Sequence, residues 1–221
     1  MKSFLVIGMG SFGRHLAEKM IELGNSVIVV DKNQSLIEEI ADKFPDSYYG
    51  DCTNPAVLSN LGVNNFDVCF VEIGEDFFSS LEITSILKEL GANYVVSKAK
   101  GERQTKFLRK LGADEVIYPE KEIAERLAVR FNADNIFDNY QLTDEYSIYE
   151  IPVLPGWINK AIETLDVRNK YDINIIAIKN ENNLNPNPSP KYVFKEGDHI
   201  IVIGSSKNVF TLAGKNNSHL S

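Results

Sequence analysis

Six residues carry the clearest chemistry in this sequence: Gly8-Met9-Gly10-Ser11-Phe12-Gly13, directly after the apolar run Phe4-Leu5-Val6-Ile7. A run with no polar face predicts a buried parallel strand. The glycines then have distinct uses. Gly8 permits a tight turn, Gly10 leaves the backbone bare for a phosphate, and Gly13 allows close packing of helix on strand. The free N–H groups of a helical first turn at Ser11 and Phe12 would face that anion. A G-x-G-x-x-G spacing alone is a weak signal, and its context decides its meaning. Here a second apolar run, Ser26–Asp31, ends in a carboxylate. At the end of the second strand of a βαβ unit, Asp31 can accept hydrogen bonds from ribose hydroxyls and would repel a 2′-phosphate. The other use of Asp31 is as the N-cap of a helix over 32–43. The combination points to an adenine nucleotide or dinucleotide rather than the 2′-phosphorylated kind.

Other candidates lie at strand ends. Lys98 closes a fifth strand, where an ammonium meets a phosphate or is simply solvated. Asp51 and Cys52 follow a third strand and border a base, or Cys52 is a small apolar filler. Glu120 opens a helix, where the dipole favours a carboxylate with or without a ligand. Catalytic machinery is thin. The histidines are His15, His199 and His219, and no Cys–His or Ser–His–Asp spacing stands out.

These residues require alternating strands and helices. Apolar strands are predicted over 4–7, 26–31, 47–50, 66–73, 94–97 and 115–118. Helical patterns separate them, over 12–23, 34–43, from Pro55, 76–90 and 102–111. Six strands with helices between them make an α/β Rossmann-like doubly wound parallel sheet. Residues 119–131 form a further helix with Ile123, Ala124, Leu127, Ala128 and Phe131 in one stripe. It crosses to another domain or subunit, or packs as a last helix of the first domain. The domain assignment is 1–132, a polar irregular linker at 133–143, and a small α+β domain over 144–221. In the latter, strands are expected at 146–153, 174–179 and 199–203, with a short one at 192–194. A helix is expected at 159–165, a loop at 180–190, and a frayed tail after Gly214.

The bulk numbers agree with a globular chain. It has 221 residues, 43% hydrophobic and 24% charged, with a formal net charge of -8. That charge argues against a general nucleic-acid or anionic-membrane binder. No apolar run approaches a membrane span, so a membrane role needs a partner rather than direct insertion. Cys52 and Cys69 are too few for a disulfide framework and have no zinc spacing, which fits a reduced cytoplasmic protein.

Taken together, Gly8–Gly13, Asp31, Gly50-Asp51-Cys52-Thr53, Val96-Ser97-Lys98-Ala99 and Gly112–Lys121 resemble the KtrA/TrkA group of potassium-uptake regulators. That group carries N- and C-terminal RCK domains (regulators of potassium conductance). Asp144-Glu145-Tyr146-Ser147-Ile148 and Tyr192–Gly204 resemble its C-terminal lobe. The resemblance implies a regulator rather than an enzyme, binding ATP or ADP, with NAD(H) as the alternative. It implies a homodimer that assembles into an octameric ring on a membrane potassium channel or transporter subunit of the KtrB or TrkH kind. By position, Asp31 would hold the ribose, Asp51 and Cys52 would lie near the adenine, and Lys98 would approach phosphate, with Lys32, Ile73 and Gly74 also among the cofactor-binding residues. Glu120 matches the group's carboxylate for a divalent cation or Na⁺ at the dimer interface. ATP-preferring members carry arginine at the position of Ser11, whereas the nearest arginine here is Arg14. That departure points away from strong ATP-over-ADP discrimination and towards NAD(H). In the C-terminal domain, Ile162, Asp166, Arg168, Asn174 and Ile175 resemble a cyclic di-AMP motif. Glu163 stands there in place of an aliphatic residue. A small NAD-dependent oxidoreductase is the competing function class.

Overall fold

The structure is a computed structural model that describes residues 1–74, 76–132, 135–181 and 183–214. The frayed tail expected after Gly214 lies outside the described residues. Contacts divide the chain into two compact units, Met1–Glu120 and Lys121–Ser221.

In the first unit, β1 (Ser3–Ile7), α1 (Ser11–Glu22) and β2 (Ser26–Asp31) form the opening βαβ. They are followed by α2 (Gln34–Ile40), β3 (Ser47–Tyr49), α3 (Pro55–Leu61), β4 (Val68–Val71) and α4 (Phe77–Glu89). Then come β5 (Val95–Lys98), α5 (Glu102–Lys110), β6 (Glu115–Ile117) and the start of α6 (Pro119–Asn132). The strands pair in parallel in the order β3-β2-β1-β4-β5-β6. The order reverses between β1 and β4, and a crevice opens there beyond the carboxyl ends of the strands.

Why β1 is apolar throughout is visible in its alternation. Phe4 and Val6 pack with Ala17, Val29, Ile37 and Ile40 on one face of the sheet. Leu5 and Ile7 pack with Leu58, Cys69, Ile83 and Leu87 on the other. A strand covered on both faces has no position for a polar side chain. Helix starts follow their caps. The Asn33 side chain accepts from the Leu36 amide at α2, and Asn54 accepts from Ala56 ahead of Pro55 at α3. Asp76 accepts from Ser79 at α4. The N-cap alternative for Asp31 is thereby set aside, since Asn33 fills that position.

The second unit contains β7 (Asp138–Gln141), β8 (Tyr146–Pro152), α7 (Ile162–Leu165) and α8 (Val167–Tyr171). It continues with β9 (Ile173–Asn180), β10 (Asn183–Asn185), β11 (Asp198–Ser205) and α9 (Ser206–Gly214). Its antiparallel sheet runs β10-β9-β11-β8-β7. One core joins Ile136, Tyr149, Ile151, Trp157, Phe194, Ile200, Val202 and Leu212, with Val129 of α6 packed against it.

Several expectations are corrected. The stretch 133–143 is not an irregular linker throughout: β7 occupies 138–141 and pairs antiparallel with β8. Its polar side chains mask a strand because β7 is an edge with little buried surface. The division falls at Glu120–Lys121 rather than near 132, because Val129 and Ile136 belong to the second core. The expected loop at 180–190 contains β10, paired with β9 at Leu184–Lys179. Residues 192–194 make a single bridge, Ala161–Val193, instead of a strand. The helix placed at 159–165 is only Ile162–Leu165, and α8 and α9 were not foreseen. The turn at Lys195–Asp198 owes its shape to a buried carboxylate. Asp198 accepts from the Lys195 amide at 2.8 Å, Tyr192 Oη at 3.0 Å and Asn180 Nδ2 at 2.6 Å.

Candidate functional site

At the switch point between β1 and β4 lies a crevice of about 510 Å³. Its floor is the turn from β1 into α1. Gly8 sits at φ 98°, a left-handed conformation that side chains resist, and a Cβ there would run into the Glu72 carbonyl. A Cβ on Gly13 would run into the Gly8 carbonyl, so Gly13 sets the helix-to-strand approach and does not line the crevice. Gly10 is the N-cap of α1 and offers no side-chain hydrogen bond to it. The first-turn N–H groups of α1 therefore keep their anion-facing capacity.

Asp31 is tied to that turn. Its Oδ2 accepts from the Met9 amide at 2.7 Å and its Oδ1 from the Asn33 amide at 2.8 Å. Each oxygen retains a second acceptor direction, so one carboxylate both holds the glycine loop and presents acceptors to a ribose. Arg14 turns away from the crevice. Its Nε donates to the Met9 carbonyl at 3.0 Å, and Nη1 reaches Glu39 Oε1 at 3.4 Å.

Gly8, Gly10, Ser11, Phe12, Asp31, Lys32, Asp51, Cys52, Ile73, Gly74, Lys98 and Glu120 all line this one crevice. Asp51 is exposed, and its Oδ1 accepts from the Thr53 amide at 3.0 Å and Thr53 Oγ1 at 2.8 Å. Those two bonds hold its carboxyl below the usual range. Cys52 is buried, and burial pushes its thiol up to about 12, so it offers an apolar wall rather than a nucleophile.

Lys98 is not a solvated lysine. Its Nζ lies 2.7 Å from Glu72 Oε1 and 2.9 Å from Glu120 Oε1, and 5.3 Å from the centre of the Phe12 ring. Burial alone would lower the Lys98 pKa, but hydrogen bonds and charge from Glu72 and Glu120 outweigh it and raise it. Burial works the other way on Glu120, and the Lys98 ammonium outweighs it to hold that carboxyl low. Glu72, Asp76 and Lys100 also line the crevice and were missed from sequence. The signal for Glu72 was present as an acidic residue directly after an apolar strand.

For a cation the fit fails within one chain. Glu120 is a rim carboxylate, 54% exposed, already engaged by Lys98. No group of three metal-ligating side chains occurs among the described residues.

In the second unit, the expected pair Arg168 and Asn174 is brought together, with Nη2 donating to Asn174 Oδ1 at 2.9 Å. Asp166 takes a left-handed conformation between α7 and α8 and accepts from Asn169 Nδ2 at 2.6 Å. Ile162 and Ile175 are partly buried against the core. A separate polar cluster was not foreseen: His199 Nδ1 lies 2.8 Å from Glu150 Oε1, which also takes Lys179 Nζ at 2.9 Å. His199 is thus held by a carboxylate and by Phe137, whose ring centre is 4.3 Å away.

Comparison with known proteins agrees with this architecture. Residues 4–119 match the TrkA-N domain and residues 147–213 the TrkA-C domain. The Ktr system potassium uptake protein C of Bacillus subtilis is 36% identical over 208 residues, covering 94% of each chain. The Ktr system potassium uptake protein A of Vibrio alginolyticus is 27% identical over 203 residues, covering 92% of each. Among solved structures, the GsuK RCK domain superposes with a TM-score of 0.70 at 19% identity. It covers 98% of this chain and 48% of that one. The GsuK channel bound to NAD gives 0.68 at 20% identity, covering 94% of this chain and 38% of that one.

Proposed function

The chain belongs to the TrkA/Ktr family of potassium-uptake proteins, and from that premise we propose that it is the regulatory subunit of a potassium uptake system, gated by an adenine nucleotide in the crevice of the first unit. The observation that carries this is the joining of Asp31 to the glycine turn. The same carboxylate that fixes Met9 faces a crevice with bare backbone at Gly10 and a helix N-terminus at Ser11. Ribose, pyrophosphate and base then have separate walls: Asp31 and Lys32, the Gly10–Phe12 turn, and Asp51 with Cys52. ADP, ATP and NAD(H) share this frame. The NAD-bound GsuK channel has the same fold, which supports the dinucleotide among them.

The partner on this reading is a membrane transporter subunit, supported by the likeness to Ktr potassium uptake proteins; no helix among the described residues is long and apolar enough to cross a membrane. Self-association is supported by α6, which buries none of its residues and exposes Ile123, Leu127 and Phe131 at helical spacing on one face. A dimer through that face, and a ring of dimers, would convert a ligand-driven change of angle into force on the transporter. A ligand can do this only through its different affinity for two ring states. Any cation at Glu120 must draw its remaining ligands from a second copy or from the nucleotide. Cyclic di-AMP is the candidate second ligand, with Arg168 and Asn174 as polar contacts and Ile162 and Ile175 as apolar ones beside Asp166.

Titration calorimetry with ADP, ATP and NADH, read beside light scattering, tests this. Saturable binding with a mass well above the 24.8 kDa of one chain is expected. A monomer without heat for any nucleotide contradicts it, and steady oxidation of NADH with a carbonyl substrate would move the assignment to an oxidoreductase.

A further inference from the structure

A phosphate cradle gains from positive charge, yet this one is built over a carboxylate. Glu72, directly after β4, is 5% exposed. A Cβ on Gly10 would lie 3.0 Å from Glu72 Oε2, so the carboxylate lies beside the bare backbone that a pyrophosphate would approach. Its other oxygen holds Lys98 at 2.7 Å, and Lys98 is shared with Glu120 at 2.9 Å. One ammonium thus serves two carboxylates before any ligand arrives. The N-terminus of α1 adds only roughly half a positive charge. Resting on the reading of the crevice as an adenine-nucleotide site, we infer that Glu72 is its specificity-determining residue, selecting against phosphate charge. The favoured ligand is an oxidised nicotinamide dinucleotide, whose diphosphate is fully esterified and whose ring is cationic. A nucleoside triphosphate, with an additional ionised phosphate and a free terminal group, is disfavoured unless a divalent cation screens it.

The physical basis is that Glu72 acts at short range in a partly desolvated place. Lys98 cannot offset both carboxylates and a polyphosphate as well. Glu120 matters less, because at the rim water screens it. Removing the Glu72 charge also frees Lys98 to face the ligand.

The test is calorimetry on the full chain with NAD⁺, ADP and ATP at one ionic strength without divalent cations, on the wild type and on Glu72→Gln. The wild type is expected to bind NAD⁺ most tightly and ATP least. The substitution is expected to tighten ATP at least about tenfold, well inside the roughly thousandfold limit set by one unit charge about 4 Å away at an effective dielectric near 20. NAD⁺ should change less than about threefold, its net phosphate charge being smaller and its ring cationic. A second measurement needs no variant: magnesium ions added to the wild type should tighten ATP much more than NAD⁺. Equal changes for all three ligands in Glu72→Gln, or ATP the tightest without magnesium in the wild type, would overturn the inference. If neither protein binds any of the three, the nucleotide reading itself has failed.

Discussion

Replacing Lys98 by methionine would leave Glu72 as a carboxylate 5% exposed, without its ammonium. Lys98 is itself only 10% exposed, so the pair sits where water compensates little. Breaking such a pair costs about 3–5 kcal/mol, because the remaining charge is stranded. For a unit of this size that corresponds to a fall in melting temperature on the order of 10 °C. Removing both charges at once, in Lys98→Met with Glu72→Leu, should return most of the loss, leaving the double variant within about 1.5 kcal/mol of the wild type. The rim partner behaves differently. Glu120 is 54% exposed, and Glu120→Gln should cost under about 1 kcal/mol. Scanning calorimetry of Lys98→Met, Glu72→Leu, the double variant and Glu120→Gln is the assay, since the single tryptophan, Trp157, lies in the second unit and reports on the wrong core. Additive losses in the double variant would refute the reasoning, because they would mean that Lys98 and Glu72 contribute independently.

Three further outcomes are expected. Gly13→Ala should cost more than about 2 kcal/mol in unfolding experiments, since the added Cβ meets the Gly8 carbonyl and helix and strand must move apart. Asp114 carries a pH signature. Burial would raise its pKa, but the Lys88 ammonium at 2.9 Å and the Val95 amide at 2.7 Å outweigh it and lower it from 3.8. A lowered folded pKa adds stability that is present above 3.8 and lost as pH falls through the folded value. Asp114→Asn should therefore be less stable by roughly 1–2 kcal/mol near neutrality, and acid titration of both proteins should close the gap. Cys52 and Cys69, each pushed up to about 12 by burial, should react with a thiol reagent at pH 8 only on the timescale of unfolding. Prompt labelling of the native protein would show that the cores open locally.

The first unit was largely legible because its signals are local. An apolar run, a glycine spacing and a carboxylate at the next strand end define β1, α1 and β2 without knowledge of any distant contact. Most of the residues expected at the crevice followed from the rule that strand ends face the ligand; Gly13 departs, turned inward to pack α1 on β1, and the lining residues Glu72, Asp76 and Lys100 carried no such signal as a set. The Glu72–Lys98 pair was not legible. It depends on β4 lying beside β5, with Val71 opposite Ser97, and pairing of strands is not written in either segment alone. The second unit was read less well for the same reason. β7 carries Asp138-Asn139-Tyr140-Gln141, a composition without alternation, and becomes a strand only because β8 offers it an edge. α8 is five residues long, bounded by left-handed Asp166 and Asp172, and too short for any periodicity to appear. The Glu150–His199–Lys179 cluster joins residues from three strands by cross-strand register.

The most direct measurement is a crystal structure of the full chain with NAD⁺ or ADP bound. The account predicts pyrophosphate over Gly10 and Ser11 at the start of α1, ribose hydroxyls on the Asp31 carboxylate, and adenine against Cys52. A nucleotide seated elsewhere on the chain, with the glycine turn and Asp31 untouched, would contradict it.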